Sequence, residues 1–393
     1  MRRRLAVAIL AALTVLACGN PAGSSAKPTA APASPAPSSS SASSGKQLLF
    51  AVLEPGGDLT AMRDTAVAIV RTNGTAIAKA HFDARQLPRV GNALPLPQPE
   101  ARVAGGKVYF ADATGVVRAL SPDGAVANVT TFPLTAPQQL LSFVVSPDGS
   151  QLLATLFSFP PVHVPPPQTP IDPPFGPGDF TLQVLTARPG QNPSVLMKRS
   201  WPQSTGLPRD ALSVVGWSQD GPLATIDTAL GTQEGSLGRG MYGHVAEVDN
   251  LGRPGPPLNG YGCNPWTVLP DETVLCDDDG QQRNFTVRSK AGAVRFSFHS
   301  TGDAQYLDLD LAPDAAHVVY LPTSGPAQVT DATGKVTQLP ANFKPEGWLN
   351  PTTVVGVLQT AQGEGDMALV QLARPTRVQD LGFHGFFDGV VQD

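Results

Sequence analysis

The sequence predicts an all-β protein carried behind an export signal and a tether, and three observations support that expectation. Charged residues are only 15% of the 393-residue chain, while Gly and Pro number 39 and 40. That balance favours strands and turns over helices. Apolar residues fall in short runs such as Leu48 to Leu53, Val67 to Val70, Leu152 to Leu156, Val318 to Leu321 and Val354 to Leu358, with no long stretch of helical period. One unit of roughly 40 to 50 residues recurs along the chain. Many of the runs are continuously apolar, as in strands covered on both faces, so each sheet needs other sheets against it.

The N-terminus gives an address. Arg2, Arg3 and Arg4 precede the apolar run Leu5 to Ala17, followed at once by Cys18, Gly19, Asn20 and Pro21. The run is short of the roughly 20 residues a membrane-spanning helix needs, and its order is that of a secretory signal. Val15-Leu16-Ala17-Cys18 resembles the lipobox of bacterial lipoproteins, with Leu16 a less usual occupant of its slot. The resemblance implies that residues 1–17 are removed and that Cys18 carries the lipid, palmitate included. Removal takes away three arginines, so the net charge moves from -5 to -5 - 3 = -8. Such a chain has no basic patch for nucleic acid or for a membrane surface, and attachment falls to the acyl chains. Residues 18–46 then read as the lipidated Cys and a disordered tether of Ala, Ser, Pro, Gly and Thr, which holds nothing to bury.

From residue 47 to 393 the repeat unit is an apolar strand, a tight turn, a second strand, a polar stretch, and two further strands split by a Gly-containing turn. The first turn reads Glu54-Pro55-Gly56-Gly57, Ala104-Gly105-Gly106, Ser146-Pro147-Asp148-Gly149, Ser218-Gln219-Asp220-Gly221, Leu269-Pro270-Asp271-Glu272, Ala312-Pro313-Asp314-Ala315 and Leu349-Asn350-Pro351-Thr352. Pro presets φ, and Asp and Gly suit the positions after it. The second turn recurs as Thr72-Asn73-Gly74, Pro122-Asp123-Gly124, Arg188-Pro189-Gly190, Leu251-Gly252, Ala291-Gly292 and Thr333-Gly334. Seven such units predict a β-propeller of seven four-stranded blades rather than a sandwich. The first and last units are the least regular, so six and eight blades stay open. The copy from Phe143 to Ala154 resembles the TolB-type, WD-like propeller repeat, a likeness specific to fold and not to activity.

Candidate chemistry is sparse. A hairpin around Pro270 and Asp271 sets Cys276 opposite Pro265 and close to Cys263, which in an exported protein predicts a Cys263–Cys276 disulfide. Asp277-Asp278-Asp279 lacks the spacing of a calcium loop and reads as a solvated acidic turn. Asp308, Asp310 and Asp314 read as structural or solvated rather than as ligands. The six histidines show no metal spacing, and no nucleophile elbow, zinc-peptidase or phosphate-loop motif is present. Trp201, Trp217, Trp266 and Trp348 read as packing between blades.

The expected function is a monomeric, lipid-anchored binding or scaffold module of the cell envelope, without cofactor. Its rival is a lactonase-like or lyase-like propeller enzyme with a site at the channel mouth. Two long connections, Ser158 to Asp179 and Thr228 to Gly243, fall on one rim. They nominate Phe159, Phe175, Arg239 and Tyr242 as contacts for a protein or glycan partner.

Overall fold

The computed structural model describes residues 48–54, 56, 64–85, 101–136, 138–161, 177–202, 208, 210–226, 243–278, 283–300, 308–322, 324–361 and 363–391. They form seven four-stranded antiparallel sheets, and no helix occurs among them. Blade 1 joins both ends of the chain: β1 (Leu49–Glu54), β2 (Thr65–Arg71) and β3 (Ala76–Phe82) pair in order, and the last strand, β28 (Phe386–Val391), adds inside β1. Blade 2 holds β4 (Ala101–Ala104), β5 (Lys107–Ala111), β6 (Val116–Leu120) and β7 (Val126–Thr131). In blade 3 come β8 (Gln139–Val145), β9 (Leu152–Ser158), β10 (Asp179–Ala187) and β11 (Ser194–Pro202). Blade 4 has β12 (Ser213–Trp217), β13 (Pro222–Thr225), β14 (Val245–Val248) and β15 (Pro254–Pro257). Blade 5 follows with β16 (Asn264–Val268), β17 (Val274–Asp277), β18 (Asn284–Arg288) and β19 (Val294–His299). Blade 6 consists of β20 (Asp308–Leu311), β21 (His317–Leu321), β22 (Gln328–Asp331) and β23 (Val336–Gln338). Blade 7 closes the series with β24 (Phe343–Asn350), β25 (Thr353–Thr360), β26 (Gly363–Gln371) and β27 (Val378–Asp380).

The first strand of each blade lines the ring, β28 serving for blade 1. The fold is therefore a seven-bladed β-propeller. One expectation needs correction: Glu54-Pro55-Gly56-Gly57 is not the first turn of a blade. β1 is the second strand of its sheet, and residues 55–64 connect it to the third. The N-terminal repeat looked irregular because its inner strand comes from the other end of the chain.

Antiparallel pairing puts the first-to-second and third-to-fourth turns of every blade on one rim, the turn rim. The second-to-third and blade-to-blade connections share the other, the loop rim. On the turn rim an Asp or Asn side chain repeatedly accepts from the amide two residues on, at 2.8–3.0 Å. Asn73, Asp123, Asp148, Asp249, Asp271, Asp314, Asp331 and Asn350 all do so. This Asx turn satisfies an amide that the strand ladder leaves over. Where Gly149 takes φ 73°, Glu272 and Ala315 stand at 58° and 54° in the matching turns, closed by bonds to Ser146, Leu269 and Ala312 carbonyls at 2.7–2.9 Å.

Apolar clusters fill the seams between blades. Phe132, Phe143 and Leu152 pack with Val117 between blades 2 and 3, and Phe180, Leu182 and Leu212 between blades 3 and 4. The four tryptophans pack against or within such clusters, as expected. Polar stitches run along the inner strands. The Arg102 guanidinium donates to the Phe143 carbonyl at 3.1 Å, Ser142 to Val214 at 3.0 Å, and Trp348 to Asp310 at 3.2 Å. Thr267 donates to the Asp310 carboxylate at 2.9 Å, and Glu346 accepts from the Phe387 amide at 2.7 Å.

Candidate functional site

The two rims differ most in the length of their connections. First-to-second turns span two to six residues, whereas residues 159–178 separate β9 from β10 and residues 226–244 separate β13 from β14. These two long connections belong to neighbouring blades 3 and 4, and the shorter connection 278–283 of blade 5 follows on the same rim. Of the nominated contacts, Phe159 is described and is only 8% exposed. It packs with Val144, Phe157, Phe180 and Leu182, so its ring belongs to the seam between blades and not to an exposed surface. Phe175, Arg239, Tyr242 and the proposed lipid site Cys18 lie outside the described residues.

The loop rim is tied down at one point by covalent chemistry. Cys263, in the link from blade 4 to blade 5, is bonded to Cys276 on β17, with a Cα separation of 5.0 Å. Cys276 pairs with Pro265, the register the sequence predicts, and the ladder then slips by one residue at Trp266. Both cysteines are fully buried. Two residues upstream, Tyr261 is 74% exposed. Its carbonyl lies 3.1 Å from His244 Nε2, and the two rings meet edge-on with centroids 5.0 Å apart. The acidic turn is another correction. Asp277 is fully buried on β17, and Asp278 accepts from Arg288 at 2.6 Å and from Thr286 at 2.9 Å. Neither is a solvated turn residue.

The turn rim carries a charged cluster that single-segment reading misses. Lys290 Nζ lies 2.6 Å from Asp220 Oδ2, 3.0 Å from Glu247 Oε1 and 3.0 Å from Glu272 Oε2. Glu272 is 1% exposed, and the other three are open to solvent. Hydrogen bonding to Asp220 first, then to Glu272 and Glu247, holds the ammonium charged far above its ordinary range. Among the described residues these three carboxylates are the ones gathered closely enough to share a cation, and the Lys290 ammonium fills that position. Asp220 and Glu247 come from blade 4, Glu272 and Lys290 from blade 5, so four distant segments make one cluster. Several polar groups of the inner strands, by contrast, are engaged in the stitches between blades.

No family model matches the chain, and no curated protein matches it. Solved structures match it at low identity. A TolB-type protein from Agrobacterium tumefaciens is 12% identical, with a TM-score of 0.32 and coverage of 88% of this chain and 92% of that one. An oligogalacturonate lyase from Vibrio parahaemolyticus is 10% identical, with a TM-score of 0.46 and coverage of 80% and 83%. The dihydro-heme d1 dehydrogenase NirN is 14% identical, with a TM-score of 0.44 and coverage of 85% of this chain. The match spans 64% of NirN, less than two thirds of its length. Likenesses this distant say nothing of activity.

Proposed function

We propose that the chain is a lipid-anchored protein of the cell envelope that binds a protein or glycan partner on the loop rim of its propeller. The observation that carries this reading is where the ring is entered. Leu49 pairs with both Val391 and Arg71, beside the turn at residues 72–75, so the chain enters and leaves the propeller on the turn rim. The opposite rim carries the long connections 83–100, 159–178 and 226–244. The buried Cys263–Cys276 bond suits an oxidising compartment.

Two experiments test the parts separately. Cys18→Ser moves the full chain from the detergent phase to the aqueous phase; equal partitioning of variant and native protein overturns the anchor. Because Phe159 is core, the loop test removes only residues 162–176, replaced by a short Gly-Ser turn. Thermal stability is retained and partner capture from solubilised envelope is lost. Capture at native level by the folded variant overturns the rim as the site.

A further inference from the structure

The seam between blades 4 and 5 is built unlike its neighbours. Among the described residues the apolar cluster on its blade 5 side is small, Cys263, Val274 and Cys276 with Leu258 and Val268 at the margin, and blade 4 adds the buried Leu223 and Val245. The seam between blades 5 and 6 instead stacks Phe285, Phe298 and Tyr320, with ring centroids 5.2 and 5.6 Å apart. The inner strands agree: β8 runs close along β12, β20 along β24 and β28 along β4, whereas β12 and β16 approach each other least. Blade 4 is also thinly paired. β13 meets β14 over Leu223 to Thr225 only, and β15, with the sequence Pro-Gly-Pro-Pro, joins β14 at Pro254 and Pro257. Proline has no amide to donate to a ladder.

At the turn rim, polar contacts cross this seam. Lys290 of blade 5 pairs with Asp220 and Glu247 of blade 4, and the Gln219 amide donates to the Pro270 carbonyl at 2.8 Å. Exposed ion pairs are screened by salt, since the Debye length falls from ~10 Å to ~3 Å between 0.1 M and 1 M. An apolar seam has no such dependence and strengthens in many salts.

We infer that the ring opens at the seam between blades 4 and 5, with Lys290 as its latch. Blade 4 parts from blade 5 while the other six seams stay closed, and the gap leads from the outside of the ring to its channel. The disulfide does not oppose this motion, because both its ends act on blade 5 and the link entering it.

Hydrogen exchange of the full chain, read by mass spectrometry at ~0.01 M and ~1 M KCl, tests the inference. Residues 213–225 and 264–268 are expected to exchange about tenfold faster than β4, β5, β8 and β9, and faster again in high salt. Lys290→Met at low salt reproduces the high-salt pattern and abolishes its salt dependence. Equal protection of all seams, or salt-independent exchange at this one, overturns the latch. The salt series on the native chain decides the matter alone if the variant does not fold.

Discussion

On the turn rim, Asp148, Asp249, Asp271, Asp314 and Asp331 each cap the amide two residues on, and one local device repeats from blade to blade. On the loop rim the connections run from two residues between β25 and β26 to twenty between β9 and β10, and one of them is secured by a disulfide. The difference teaches where the fold is specified. A turn held by its own side chain needs nothing from the rest of the ring, so its sequence repeats; a connection pinned at one end by a disulfide is free to vary along the rest of its length.

Removing the covalent tie should have the largest effect. Cys263→Ser with Cys276→Ser lowers stability by about 2–4 kcal/mol, read as a shift of the urea midpoint. An unchanged midpoint would mean the loop rim needs no such tie. Next comes the local device itself. Gly149→Ala sets a Cβ 2.6 Å from the Tyr109 hydroxyl at φ 73°, and should cost about 1–2 kcal/mol in the same assay. The opposite change, Ala315→Gly, relieves a left-handed alanine at φ 54° and should add about 0.5–1 kcal/mol. A loss there would show that Ala315, which is buried, serves by packing and not by turn geometry.

The smallest effect is electrostatic. The Ser146 hydroxyl, then the Ser150 amide and hydroxyl, hold Asp148 down to about 2, below the ~3.9 of an unfolded chain. A carboxylate depressed on folding contributes stability that is complete above its unfolded pKa and lost as pH falls through its folded one. Thermal midpoints measured from pH ~5 to ~2 should therefore fall less steeply in Asp148→Asn than in the native chain. Superimposable acid limbs would remove Asp148 from the account.

The contrast also explains what could be read in advance. The Pro-Asp-Gly turns and the pairing of Pro265 with Cys276 are local, and spacing along the chain is enough to find them. Phe159 failed because the first residue after a strand can still turn into a seam, and nothing nearby in sequence distinguishes that from exposure. Asp277 failed for the same reason, being the last residue of β17 rather than the first of a loop. The Lys290 cluster could not be read at all. Its members stand at 220, 247, 272 and 290, each in an ordinary polar context, and only the packing of blade 5 on blade 4 collects them.

The pairing of β28 with β1 carries a cost in time. Leu49 and Val391 are 391 - 49 = 342 residues apart, so bringing them together costs ~5 kcal/mol of chain entropy against ~2 for a ten-residue turn. Every other blade forms from consecutive strands. Blades 2 to 7 can therefore assemble as the chain emerges, but Phe50, Val52 and Leu349 of the closing seam stay uncovered until the last strand arrives. The nascent ring is an open arc with sticky ends, and a chaperone or a crowded neighbour would meet it there first.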